Sequence, residues 1–174
     1  MRGTGTPPPS TNRRLFDDFQ HRLVDQAVRE SSEHLTRFYR IAPREFFHFS
    51  YDLVTERDIP AESLRDRVFA ETISYTHGAA DKDFYRIHLF DHPILEAVSR
   101  RPDAPALYPF LLYILTHELI HISRLSRLDL DDPSAEERAL EEETVHRLTR
   151  DVLAPETSVT LDKVADLYHL NLLP

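Results

Sequence analysis

His117, Glu118 and His121 are the residues whose types and spacing could do chemistry: they read His-Glu-x-x-His inside the run YILTHELIHIS, residues 113–123. Side chains four apart on a helix stand one turn from each other, so both imidazoles can reach one metal ion. Glu118 follows the first histidine and can orient or deprotonate a water on that ion. The other residues between 111 and 122 are nearly all apolar, as expected of a helix packed on several sides. Ionisable side chains in such a helix need partners, because unpaired polar burial is costly. A shared metal would satisfy all three.

Composition narrows the chemistry. The chain has 174 residues, enough for one domain with a real core. With 21 Lys and Arg against 30 Asp and Glu, the formal charge of −9 argues against a general nucleic-acid binder, so no nucleic-acid partner is expected. There is no cysteine, which removes disulfide scaffolds, thiolate zinc sites and cysteine nucleophiles. Any metal is therefore held by His, Asp, Glu and water, and ten histidines are available. No N-terminal run resembles a signal peptide and none reaches membrane-spanning length, so the expectation is a cytoplasmic protein with no membrane partner.

The elements that must position these residues follow from periodicity. Residues 1–10, with Pro7, Pro8 and Pro9, read as a disordered lead-in, leaving 11–174 as a single metal-binding domain. Thr11 or Asn12 is placed to cap a helix running to about Tyr39. Alternation predicts two short strands, near 47–53 and 83–90, and a helix over 61–76 between them. Asp91-His92-Pro93 opens a short helix ending near Arg100, and the motif helix then runs to about Leu128. Asp132 is placed to cap a helix with Pro133 at its first position, covering 134–153, and a last helix runs from about Thr160 to Leu170. The expected fold class is α+β: a mostly helical single domain in which the motif helix packs antiparallel to the one that follows.

A histidine pair lacks at least one protein ligand for a zinc site that keeps a water position open. The helix over 134–153 is the best source. Its core direction is marked by Val145, Leu148 and Val152, and Glu142 and His146 fall on the edge of that arc. One of these two would ligate, and the other would ligate as well or support a ligand. Glu143 lies toward the charged face with Arg147 and Arg150, whereas Glu141 lies near the centre of the arc. For Glu141 and Glu143, pairing with Arg138 and Arg147 on an ordinary helix face is the better reading.

At these residues, roughly 113–150, the chain resembles the gluzincin branch of zincin metallopeptidases, in which His-Glu-x-x-His is followed by a ligating Glu on a later helix. The resemblance implies His117 and His121 as zinc ligands, Glu118 as general base and Glu142 as third ligand. His146 then occupies the place of an acidic residue that supports a ligand. This departure leaves open whether it supports His117 or His121 or itself binds the ion. The third histidine and glycine of the metzincin pattern are absent. The implied activity is zinc-dependent hydrolysis of a peptide or other amide bond, with a small-molecule or peptide substrate. His77, His88, Tyr113 and Arg124 are candidates for an extra donor to the reacting carbonyl, although Arg124 also reads as a cation answering the helix dipole and Asp129.

Two other readings fit the spacing. Glu118/His121 and Glu143/His146 are each Glu-x-x-His, the unit used twice in di-iron carboxylate bundles, with Glu30, Glu33, Glu71 or Glu96 to complete the shell and iron in place of zinc. Glu45 and His48 repeat that spacing by coincidence. A non-catalytic binding protein with a structural metal is the third. Spacing leaves substrate and oligomeric state open.

Overall fold

The computed structural model describes residues 13–40, 42, 50–75, 84–100, 102–125, 134–155 and 158–172. Among these residues, five helices and a three-stranded sheet form an α+β domain: α1 (Asp18–Tyr39), β1 (Ser50–Thr55), β2 (Ala70–Tyr75), β3 (Phe84–Leu89), α2 (Asp91–Ser99), α3 (Leu107–Leu125), α4 (Ala135–Leu153) and α5 (Ser158–Leu172). The expected lead-in at residues 1–10 lies outside the described residues.

Everything is arranged around α3. Each residue from 110 to 120 is buried, because α1, α4, α5 and the sheet cover it on separate sides. Phe110, Leu111, Ile114 and Leu115 are fully buried, each contributing about 1.5–3 kcal/mol relative to exposure. On α1 the buried face is Val24, Ala27, Ser31, His34 and Leu35, the three-and-four spacing of a helix stripe. Ser31 Oγ donates to the Leu112 carbonyl at 3.4 Å, and Thr116 Oγ1 donates to Ser31 Oγ at 2.9 Å. This satisfies the two buried hydroxyls between α1 and α3.

The sheet order is β1-β3-β2, with β1 parallel and β2 antiparallel to β3. Tyr85, Ile87 and Leu89 point to the core, and the registers Ala70↔Leu89 and Thr72↔Ile87 put the small side chains of β2 on that same face. Alternation predicts two strands, and the described residues hold three. The predicted helix over 61–76 is instead a 3₁₀ turn at Ala61–Ser63 followed by β2. Pairing with β3 overrides the helix-forming composition of its first half.

Helix starts also differ from expectation. Asp17, not Thr11 or Asn12, caps α1 in a capping box with Gln20, and Ser134, not Asp132, caps α4 in a box with Glu137. The segment before α1 is held by polar ties. Arg13 pairs with Glu56 at 2.7 Å, and the buried Asp91 carboxylate accepts from Phe16 N–H at 2.8 Å and Glu56 N–H at 3.2 Å. Among the described residues no helix is long and apolar enough to cross a membrane.

Candidate metal centre

Contacts pair Arg124 with Glu141, His121 with Glu142 and Tyr113 with His146, so α3 and α4 run antiparallel. That arrangement brings His117 and His121 from one helix against Glu142 from the other. The His117 and His121 Nε2 atoms are 3.0 Å apart. Each is also 3.0 Å from a Glu142 oxygen, His117 from Oε1 and His121 from Oε2. Ligands at about 2.0–2.1 Å from a tetrahedral zinc stand roughly 3.3 Å from one another, so two nitrogens and a carboxylate in this triangle form a fitting donor set. These three residues form the group of potential metal ligands among the described residues.

His146 stands beside that group, not in it. Its Nε2 is 3.3 Å from Glu142 Oε1, and its Nδ1 is 3.0 Å from the Tyr113 hydroxyl oxygen. Neither His146 Nε2 nor His117 Nδ1 makes a hydrogen bond with another described residue, although both are buried.

Burial and charge set the protonation of the cluster. His117 is 1 % exposed, and burial pushes its pKa down to about 4 against the opposing bond to Glu142. It is therefore a neutral imidazole at pH 7, the form that binds a metal. For Glu142, burial pushes the carboxyl up, but the close approach of His117, His121 and His146 outweighs it and holds the group well below the usual carboxylate range. His121 is drawn the other way: burial lowers it, and the Glu142 bond with the Glu118 and Glu142 charges raises it above its ordinary value.

Glu118 is 4 % exposed, and burial raises its carboxyl against the His121 charge and a hydrogen bond from Thr72. That bond runs from Thr72 Oγ1 to Glu118 Oε2 at 2.7 Å. Glu118, the three donor residues, Thr72 and Tyr168 line one cleft of about 250 Å³, closed on its apolar side by Val68 and Ala70. Tyr168 comes from α5, sets its ring 4.9 Å from the His117 ring at a 40° tilt and makes no hydrogen bond with another described residue. Burial, then the charges of Glu118 and Glu142, hold its phenol far above the usual range, so it remains an O–H donor.

Neither Thr72 nor Tyr168 carries a local signal for the site. Thr72 falls in the segment whose pattern predicts a helix, and Tyr168 carries only a core signal, its helical spacing from Leu161, Val164 and Ala165. The other expected donors are occupied elsewhere or lie apart. Tyr113 is bound to His146, and Arg124 forms a bidentate pair with Glu141 at 2.5 and 2.8 Å, which also answers the burial of that carboxylate. His88 is buried on the sheet face opposite the core, paired across from Glu71, and not exposed on its strand. His77 lies outside the described residues, as do Glu45 and His48.

The paired Glu-x-x-His arrangement does not assemble among the described residues. Glu143 is exposed, Glu30 accepts from Tyr108, and Glu96 pairs with Arg100. Glu33 is exposed, and Glu71 lies opposite His88 and near Arg65.

No protein-family model, curated protein or solved structure matches this chain.

Proposed function

We propose that this protein is a zinc-dependent hydrolase acting on a peptide or other amide bond. One observation carries the reading: His117 Nε2, His121 Nε2 and the Glu142 carboxylate lie 3.0 Å from one another beside a buried Glu118 in a shared cleft. When bound by His117, His121 and Glu142, zinc supplies a water of lowered pKa and polarises a carbonyl. Three protein ligands leave a position for that water, as catalytic sites require.

The chain's own residues do the rest. Glu118 takes the proton of the attacking water as general base, a role suited to a carboxylate whose pKa burial has raised. Thr72 fixes one Glu118 oxygen, leaving the other to face the cleft chemistry. Tyr168 supplies the O–H donor to the oxygen on which negative charge develops. Glu118 then returns its proton to the departing amine. Zinc suits this donor set better than iron, because the second carboxylate unit of a di-iron site is turned to solvent at Glu143.

Glu118→Gln tests the reading. The zinc-loaded chain is assayed on a fluorogenic peptide library, and the variant is expected to keep its zinc while losing at least about 100-fold in turnover. Equal turnover by the variant, or none by the zinc-loaded parent on any peptide, amide or ester probe, contradicts it.

A further inference from the structure

His146 lies one helical turn beyond Glu142 and is 4 % exposed, and its two nitrogens meet two different groups. Nδ1 is 3.0 Å from the hydroxyl of Tyr113, and Nε2 is 3.3 Å from Glu142 Oε1. Tyr113 is itself fully buried, one turn before His117 on α3. Its phenol therefore bridges the two helices that carry the donor cluster.

The proton inventory gives this bridge a direction. A phenol has one hydrogen to donate, and among the described residues the Tyr113 hydroxyl has no hydrogen-bond partner except His146 Nδ1. If Nδ1 carried the imidazole proton and donated to the phenol oxygen, the phenol hydrogen would be left buried and unbonded, with the full cost of an unsatisfied donor. With Tyr113 donating instead, Nδ1 is the acceptor and the neutral ring carries its proton on Nε2. That N–H stands 3.3 Å from Glu142 Oε1, the oxygen that also lies 3.0 Å from His117 Nε2; the pair is not hydrogen-bonded in this structure, but an N–H there is attracted to the carboxylate, whereas a bare lone pair would be repelled. An N–H has no lone pair to give a metal.

We infer that Tyr113 locks His146 in its Nε2–H form, so that His146 turns an N–H, not a lone pair, toward the Glu142 carboxylate, steadies it by charge and is not a metal ligand. The inference rests on the zinc reading and assigns the roles within that site. Glu142 needs such support. Its side chain is 34 % exposed, and its carboxylate must be held between two imidazoles on a neighbouring helix. Tyr113 and His146 are positioning residues, acting on the ion only through Glu142.

Three variants of the full chain and one spectroscopic measurement decide it. His146→Gln keeps an N–H donor near the place of Nε2, His146→Leu removes it, and Tyr113→Phe removes the lock. Zinc affinity is measured by competition with a chromophoric chelator. His146→Leu and Tyr113→Phe are expected to bind one zinc about 10–100-fold more weakly, with His146→Gln within a few-fold of the parent. In the ¹⁵N-histidine spectrum of the zinc-loaded parent, His146 shows a bare Nδ1 and a protonated Nε2, whereas His117 and His121 show coordination at Nε2.

A metal-coordinated His146 Nε2, His146→Gln binding as weakly as His146→Leu, or parental affinity in both His146→Leu and Tyr113→Phe overturns the inference. Thermal melts identify a variant that fails to fold; the parent spectrum then carries the decision. If the parent binds no zinc, the zinc reading falls, and with it the role of His146 toward a metal ligand. The His146 tautomer in the metal-free chain then tests the Tyr113 bond separately.

Discussion

Thr72 Oγ1 donates a 2.7 Å hydrogen bond to Glu118 Oε2, tying the edge strand β2 to the helix that carries His-Glu-x-x-His. The bond fixes the rotamer of a buried carboxylate that otherwise meets the cleft. Thr72→Val keeps the shape and removes the donor. Turnover should fall about 10-fold or more with zinc content unchanged, measured by steady-state kinetics alongside metal analysis. Unaltered turnover would show that the bond does not orient Glu118 for reaction.

Tyr168 brings the C-terminal helix into the cleft, with its ring against His117. Tyr168→Phe is expected to lower kcat about 100-fold, in the range for loss of one transition-state donor, with little change in zinc affinity or KM. A change confined to KM would make Tyr168 a binding contact instead.

The Arg124–Glu141 pair clamps α3 to α4 just beyond the donor cluster, with side chains 31 % and 18 % exposed. The Arg124 bond holds the Glu141 carboxyl below its ordinary value, against opposing burial. A folded pKa below the unfolded one gives stabilisation that is fully present above the unfolded value and lost as pH falls through the folded one. A double-mutant cycle of Arg124→Ala and Glu141→Ala should give a coupling of about 1 kcal/mol near neutrality that vanishes in acid. Denaturant melts across that range measure it, and a coupling that persists in acid argues against an ion pair.

Asp91 accepts two backbone N–H groups from separate segments, Phe16 and Glu56, while itself fully buried. Asp91→Ala leaves both donors without an acceptor and is expected to cost roughly 3 kcal/mol, read as a lowered unfolding midpoint. A loss below about 0.5 kcal/mol, the range of an ordinary surface change, would mean that water replaces the carboxylate.

How far the sequence reaches depends on which residues carry a local signal. His117, Glu118 and His121 are legible because one helical turn relates them, and Glu142 and His146 because a helical projection places both beside the apolar arc of α4. The α+β class and the order of the long helices follow from the same periodicity. β2 is not legible, because its first half sits in helix-forming sequence, while its apolar Ile73 pairs with Arg86 on the face away from the core and Ser74, opposite Tyr85, is exposed. Its strand state comes from pairing with β3, a contact that no local pattern records. Thr72 is lost with it. Tyr168 shows only that it faces a core; its place in the cleft depends on how α5 crosses α3, which is a tertiary fact.

The central claim is a metal shared by two helices, and zinc stoichiometry on the intact chain tests it most directly. After loading and removal of excess zinc, elemental analysis should find one zinc per chain in the parent and in Glu118→Gln. His117→Ala combined with Glu142→Ala, folded by circular dichroism, should hold none. A folded parent that retains no zinc, or a double variant that retains as much as the parent, would contradict the account.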